Sequence, residues 1–109
     1  MSTQVDRIRS LNDELRRDLL TGLAVMTPGV MALGGATVDR IVQTIAIFDD
    51  FHHASDPHQE HDFGAFVVEG NTIFFKIEYY DRTLTHHSPN PADPNVTQRV
   101  ITIMLAEEY

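Results

Sequence analysis

The chain has 109 residues, and sixteen acidic against eight basic residues give it a formal net charge of −8 at pH 7. It contains no cysteine, which excludes disulfides, thiolate zinc sites and cysteine nucleophiles, so any metal would need His, Asp or Glu ligands. This length predicts a single domain spanning residues 1–109. No apolar run approaches the ~20 residues of a membrane span, and no signal-peptide core is present, so we expect a cytoplasmic protein without membrane contact.

The charges are unevenly distributed along the chain. Four of the basic residues stand near its start: Arg7, Arg9, Arg16 and Arg17. From Thr21 onward, twelve acidic residues accompany only four basic ones: Arg40, Lys76, Arg82 and Arg99. Binding to a phosphate backbone depends on clustered positive charge, so this distribution argues against direct nucleic-acid binding outside the first helix. A protein partner with a basic surface fits it better.

The first predicted helix covers residues 3–20, where apolar residues recur at spacings of three and four: Val5, Ile8, Leu11, Leu15 and Leu19. Thr3 with Asp6 is typical of a helix cap, and Thr21-Gly22 is typical of a helix end. We expect the apolar stripe to face the core. Exchange of the same stripe between copies, and therefore a homo-oligomer, is the alternative.

Residues 23–51 hold the next predicted elements. Residues 23–33 are apolar around Thr27-Pro28-Gly29, a turn signal, which predicts two short strands. The second predicted helix covers residues 37–51, because apolar residues again follow the helical period: Ile41, Ile45, Phe48 and Phe51. Residues 44–51 would also suit a strand.

The clearest predicted strand covers residues 72–81. Its buried-type residues Ile73, Phe75, Ile77 and Tyr79 alternate with a second set: Phe74, Lys76, Glu78 and Tyr80. Residues 63–69 form a second run, and Gly70-Asn71 between the two predicts a hairpin turn. Residues 82–94 contain three prolines and no periodicity, which predicts a loop.

The third predicted helix covers residues 94–107. Asp93-Pro94 is typical of a helix start, and residues at helical spacing follow: Val96, Val100, Ile103 and Met104. The β-branched residues within 99–105 favour a strand instead. The whole pattern predicts an α+β fold in which an antiparallel sheet, with the hairpin of residues 63–80 at its centre, is covered by the three helices at residues 3–20, 37–51 and 94–107.

Four sequence blocks carry a family resemblance: Ile8–Asp13, Glu60–Gly64, Lys76–Asp81 and Thr102–Tyr109. In this order they resemble a family of small bacterial proteins, chiefly alphaproteobacterial and often plasmid-borne, that is classed as a domain of unknown function. The family pattern has glycine where this chain has Gln59 and aspartate where it has Glu78. The resemblance covers almost the whole chain and implies no activity.

The segment Asp49–Asp62 is the most unusual part of the sequence, with four histidines and five carboxylates in fourteen residues. Imidazole and carboxylate groups bind divalent metals and transfer protons near neutral pH. The candidate metal ligands are His52, His53, His58, His61 and Asp62. The alternative is a solvated loop in which Asp56 forms an Asx turn and Glu60 or Asp62 accepts backbone hydrogen bonds. We expect no cofactor, with a divalent metal such as zinc as the alternative.

A second group of residues suggests acid–base chemistry. If the loop before the hairpin lies against the strand at residues 72–81, five side chains would form one cluster: Glu60, His61, Lys76, Glu78 and Tyr80. Ordinary ion pairing across an exposed sheet face explains Lys76 and Glu78 equally well. No phosphate-binding glycine loop, nucleophile elbow or dinucleotide fingerprint occurs.

These observations support three functional hypotheses. The first is an acidic cytoplasmic accessory or binding protein, not an enzyme, that acts through a protein partner. The second is a metal-dependent or acid–base hydrolase centred on residues 52–62. The third is a nucleic-acid mimic that inhibits a bacterial defence system, because carboxylates on a compact domain can imitate phosphate spacing.

Overall fold

The computed structural model describes residues 3–109 and confirms the predicted α+β class. In chain order, the elements are α1 (Gln4–Asp18), β1 (Leu23–Met26), α2 (Pro28–Met31), α3 (Gly35–Ile47), β2 (Phe63–Val68), β3 (Asn71–Tyr80), β4 (Gln98–Leu105) and a 3₁₀ turn (Ala106–Glu108). The strands form one sheet in the order β1-β4-β3-β2, with β1 parallel to β4 and the other pairs antiparallel. None of the helices in residues 3–109 is long and apolar enough to cross a membrane.

Helix α1 matches the first predicted helix. The backbone N–H of Asp6 donates to the Thr3 hydroxyl at 3.1 Å, and the Thr3 N–H donates to the Asp6 carboxylate at 3.2 Å. This reciprocal capping box satisfies two of the amide groups that a helix start leaves unpaired. The helix ends at Asp18, two residues earlier than predicted, and Leu19 then adopts a left-handed conformation with φ of 62°.

The predicted helix at residues 94–107 is wrong. Residues 98–105 form β4, an interior strand that pairs with β3 from Tyr79↔Arg99 to Ile73↔Leu105. The β-branched residues decide the structure here, because their side chains pack well on a pleated surface and alternate between its two sides. Asp93 does not begin a helix, since its carboxylate accepts the N–H of Asn95 at 2.9 Å in a local turn.

The predicted hairpin is present, but it is not at the centre of the sheet. Strand β2 is an edge strand, and β3 and β4 are the two interior strands. The turn is formed by Glu69 and Gly70, with φ of 51° and 80°, while Asn71 already belongs to β3. Positive φ at both central residues is the geometry that suits a two-residue turn to the twist of a hairpin.

The segment of residues 23–51 differs from its prediction at two points. Only β1 is a strand, and Pro28 begins the short helix α2, because its fixed φ and missing N–H suit the first turn of a helix. The second predicted helix is confirmed as α3, although it ends at Ile47. Phe48 is extended, with ψ of 130°, so residues 48–51 lie outside the helix.

The three helices cover one side of the sheet, which we call the covered side. Ile73, Phe75, Ile77 and Tyr79 of β3 share one core there with buried residues of every helix: Ile8, Leu15, Val30, Ile41 and Ile45. Gly64 of β2 permits close packing, since a Cβ at this position would lie 2.2 Å from the Phe75 ring and 2.7 Å from the Phe48 ring. The alternate strand residues point to the opposite side.

The strand assignment of β4 predicts a large loss of stability at one position and a small change at the adjacent one. We expect Ile101→Ala to lower the free energy of unfolding by about 2–5 kcal/mol, because Ile101 is fully buried on the covered side. Val100→Ala should change it by about 1 kcal/mol or less, because Val100 is half-exposed on the other side. Urea unfolding followed by circular dichroism measures both. Equal losses would contradict the strand geometry.

Candidate functional site

The histidine-rich loop between α3 and β2 is anchored by a buried carboxylate. Asp56 is 4% exposed, and one of its oxygens accepts the N–H groups of Glu60 and His61 at 3.0 and 3.1 Å. Arg9 of α1 donates to the carbonyl of Gln59 at 3.0 Å. Gln59 and His61 both adopt positive φ, near 58°. The carboxylate therefore fixes a tight backbone path, but it accepts amides four and five residues later and does not form the predicted Asx turn.

His61 packs against α1 and the loop. Its Nδ1 lies 2.9 Å from the Asp13 carboxylate, and its ring stacks on Phe51 at a centroid distance of 3.8 Å with an interplanar angle of 2°. The guanidinium of Arg16 lies over Phe51 at 5.1 Å. One imidazole nitrogen and one ring face are thus already used in holding the loop to the helix.

Arg16 joins α1 to the end of α3. Its Nη1 donates to the carbonyls of Ile45 and Phe48 at 2.7 and 2.9 Å, and its Nη2 donates to Asp13 at 2.7 Å. A cation at this position is favourable because the last carbonyls of a helix are unpaired and carry partial negative charge. Asp13 contacts both Arg16 and His61, so α1 holds α3 and the loop through one carboxylate.

Asn12 is the centre of a buried polar network. Its amide nitrogen donates to the Tyr79 hydroxyl at 2.7 Å and to the Glu60 carbonyl at 2.9 Å, and its amide oxygen accepts from Arg99 Nε at 2.8 Å. The Tyr79 hydroxyl donates to the Glu60 carboxylate at 2.8 Å. Every polar group of Asn12 therefore has a partner, although the residue is fully buried.

The ionisable groups of this network have perturbed equilibria. Burial raises the pKa of Tyr79, so its hydroxyl remains a proton donor to Glu60. Burial lowers the pKa of Arg99, while the nearby charge of Glu60 acts in the opposite direction. Burial and, secondly, the charge of Glu60 raise the pKa of Asp62. The charge of Glu60 thus acts on the buried Arg99 cation without a direct ion pair, and its carboxylate accepts the hydrogen bond of the Tyr79 hydroxyl, which is a structural role for a residue predicted as catalytic.

The candidate metal ligands do not converge on one point. His52 lies 3.1 Å from Asp50 with both side chains mostly exposed, and His58 is also exposed. His52, His53 and His61 line a shallow cleft of about 300 Å³ together with Arg9 and Asp56. Among residues 3–109, no group of three or more His, Asp or Glu side chains is arranged to hold a metal ion.

The predicted acid–base cluster is divided by the sheet. Glu60 and His61 bond to Tyr79 and α1 on the covered side. On the other side, Lys76 lies 3.1 Å from Glu78, and the Tyr80 hydroxyl donates to Glu78 at 3.0 Å. This hydrogen bond raises the pKa of Tyr80. The two halves of the cluster lie on opposite sides of β3, because consecutive strand residues alternate between sides.

Hydrophobic periodicity does not predict the burial of three polar residues: Asn12, Arg16 and Arg99. A signal is nevertheless present. Asn12 and Arg16 stand four and eight residues after Ile8, on the same helical face, so they occupy core positions. Arg99 precedes Ile101 and Ile103 in the alternation of a strand, which becomes readable once β4 is recognised.

Comparison with protein families gives one match. The family model described as protein of unknown function (DUF3768) matches residues 26–108. The chain belongs to this family. No curated protein and no solved structure matches the chain. The matched span includes the loop, the hairpin and β4 of this DUF3768 protein, whereas α1, with Asn12, Asp13 and Arg16, precedes it.

The second side of the sheet, which we call the open face, carries several exposed apolar residues of this family member. The strand register places one set of side chains there: Leu23 and Val25 of β1, Val100, Thr102 and Met104 of β4, Phe74, Lys76, Glu78 and Tyr80 of β3, and Phe63, Ala65 and Val67 of β2. The ring of Tyr109 packs edge-on against Phe74 and Phe63 at 5.7 and 6.2 Å. Within residues 3–109, the helices bury their apolar residues on the covered side only.

The Asn12 network predicts a large loss of stability on truncation. Asn12→Ala would leave Arg99 Nε and the Glu60 carbonyl without their partner and would remove one of the two hydrogen bonds of the Tyr79 hydroxyl, so we expect it to lower the free energy of unfolding by about 2–5 kcal/mol. Ser10→Ala, on the exposed side of the same helix, should change it by less than about 0.5 kcal/mol. Chemical denaturation of both variants tests the network, and similar values would contradict it.

The raised pKa of Asp62 predicts that removal of its charge stabilises the protein in a pH-dependent way. The pKa of Asp62 in the folded state is raised above the usual 3.8, so the protonated Asp62 stabilises the folded state below pH 3.8. This stabilisation is lost as pH rises through the folded-state pKa, because the carboxylate then becomes charged. We therefore expect Asp62→Asn to raise the melting temperature at pH 7, with the gain disappearing below pH 3.8. Asp39→Asn, at an exposed position, is the control. A gain that does not depend on pH would contradict the assignment.

Proposed function

We propose that this protein is a small binding protein that acts through a protein partner, and that the partner covers the open face. The observation that carries the proposal is the set of exposed apolar side chains on this side of the sheet, on the edge strands β1 and β2 and at the C-terminus. Leu23, Val25, Val67 and Tyr109 are 44%, 47%, 66% and 75% exposed. Several exposed apolar residues that share one side of a sheet favour an interaction site, unlike single exposed apolar residues.

The dimensions of the open face favour a reversible complex. Four strands about 4.8 Å apart and about seven residues long give a surface on the order of 500 Å². That area lies below the ~800 Å² that each partner buries in a standard stable interface. Burial of a Leu or Val side chain contributes up to about 1.5–3 kcal/mol, so a few such contacts suffice for a transient association.

The charge pattern favours a partner with basic residues around its contact surface. The charge of Lys76 on the open face is compensated by Glu78, and Lys76 Nζ also lies 5.9 Å above the ring of Tyr109. The remaining surface carries the acidic excess of a chain with net charge −8. Complementary charge at the rim speeds association and weakens it when salt is added. We place the protein in the cytoplasm, where the lack of cysteine is unremarkable.

The geometry gives less support to the hydrolase hypothesis. His61 and Glu60 are held by Asp13 and Tyr79, and the other acid–base residues lie on the opposite side of the sheet. The nucleic-acid mimic is a special case of binding to a basic protein, and the partner's identity decides it.

Paired charge substitutions test the proposal. Val25→Asp and Val67→Asp introduce a charge into the open face, which we expect to weaken binding to the purified partner by about tenfold or more. Ile47→Asp is the matched control, because Ile47 is an exposed apolar residue on α3. The partner is first identified by affinity capture with the tag-free protein coupled to a support, and affinities are then measured by calorimetry at low and high salt.

Equal affinities for the wild type, the open-face variants and the Ile47 control would contradict the proposed surface. Binding that salt does not weaken would contradict the basic rim. Sedimentation of the protein alone tests whether the open face binds a second copy of this chain instead of a different protein. Self-association that Val25→Asp abolishes would assign the open face to another copy.

A further inference from the structure

Two of the four basic residues that follow Thr21 line the same cleft. This cleft has a volume of about 220 Å³ and lies between α1 and the loop before β4. Arg82 and Arg99 line it together with Thr97 and the apolar side chain of Leu11. Positive charge is scarce in this part of the chain, so its concentration in one small cleft requires an explanation.

Neither arginine has a carboxylate partner. The other two basic residues of this region are paired, since Arg40 lies 2.9 Å from Glu69 and Lys76 lies 3.1 Å from Glu78. Within the part of the chain that the structure describes, Arg82 and Arg99 form no ion pair. In a protein with twice as many acids as bases, two unpaired arginines in one cleft leave an excess of donors there.

Contacts with Asn12, Pro91 and Tyr79 fix the position of the Arg99 side chain. Its side chain is 5% exposed, its Nε donates to Asn12 at 2.8 Å, its Nη2 donates to the carbonyl of Pro91, and its guanidinium lies 5.1 Å from the Tyr79 ring centroid. Nη1 has no partner among the described residues, yet it is not enclosed by protein, because the only enclosed unpaired side-chain nitrogen there belongs to Arg16. Nη1 is therefore an unused donor on a residue that lines the cleft.

Arg82 supplies the second cation from the rim. Its Nη1 donates to the carbonyl of Thr97 at 3.2 Å, which positions the guanidinium over the same strand end as Arg99. Its other nitrogens have no hydrogen-bond partner in residues 3–109, and the residue is exposed. Glu14 also lines the cleft, and its side chain makes no hydrogen bond within the described residues. Its carboxylate therefore repels an anion there.

We propose that this cleft binds a small oxyanion, a phosphate or carboxylate group, between Arg82 and Arg99. Guanidinium donors match the geometry of both groups, and hydrogen bonds between ionised partners are the strong ones. A partly desolvated arginine that is already fixed by Asn12 loses little freedom when an anion binds. The volume suits one such group or a small molecule, since it is below the roughly 300–1,000 Å³ of drug-sized sites.

Titrations with two simple anions test the proposal. Inorganic phosphate and malonate are added separately to the full-length protein at constant ionic strength, and the Nε–H signal of Arg99 and the amide signal of Thr97 are followed by NMR. We expect saturable shifts, and we expect Arg82→Gln to weaken the binding by about tenfold, because one charge-assisted contact is lost. Arg40→Gln, which removes a cation outside the cleft, should leave it unchanged.

A second variant gives an effect of opposite sign. Glu14→Gln removes the opposing carboxylate, so it should tighten the binding several-fold, whereas Asp39→Asn, which removes one negative charge outside the cleft, should not. A response to only one anion supports the site and identifies its ligand as phosphate or carboxylate. Absence of saturable shifts for both anions, or equal affinities for wild type, Arg82→Gln and Glu14→Gln, would overturn the proposal.

Discussion

The architecture depends on a fully buried amide. Asn12 has to satisfy two donors and an acceptor without water, and it does so with groups from β3, β4 and the loop before β2. An unpaired buried polar group is expensive, so these hydrogen bonds specify one position of α1 on the sheet where apolar packing alone would allow several. Arg16, one turn further along, does the same for the end of α3. The helix that looks simplest in the sequence is therefore the part that fixes the relative positions of the others.

The elements that the sequence predicts correctly are those with local causes. The capping box of α1 and the alternation in β3 depend on neighbouring residues only, and so does the turn between β2 and β3, although it lies one residue earlier than predicted. Strand β4 is harder to predict, because residues 93–104 contain both a helix-start signal and a β-branched run. Pairing with β3 decides between the two. The strand order has no local cause at all, since β1 pairs with residues about 77 positions later in the chain.

The candidate site shows the same limit. Composition identifies the loop of residues 49–62, and the anchoring role of Asp56 follows from its residue type. Composition does not reveal where the rings point, because the buried carboxylate and the two positive-φ residues set the path of the loop. Crowding of histidines along a chain therefore differs from convergence in space. A residue pair such as Arg82 and Arg99, distant in sequence and separated by a loop, becomes visible only when the fold brings it to one cleft.

The position of β4 has a kinetic consequence. This strand lies between β1 and β3 but is synthesised after both, so neither can pair with it before residues 98–105 have been made. Until then the nascent chain has only the β2–β3 hairpin, with the long apolar edge of β3 unpaired. Sheets closed by distant segments form slowly, and unpaired strand edges favour intermolecular association. On the ribosome, assembly of this sheet is expected to be a late and abrupt event, in which the last strand made completes the interior of the protein.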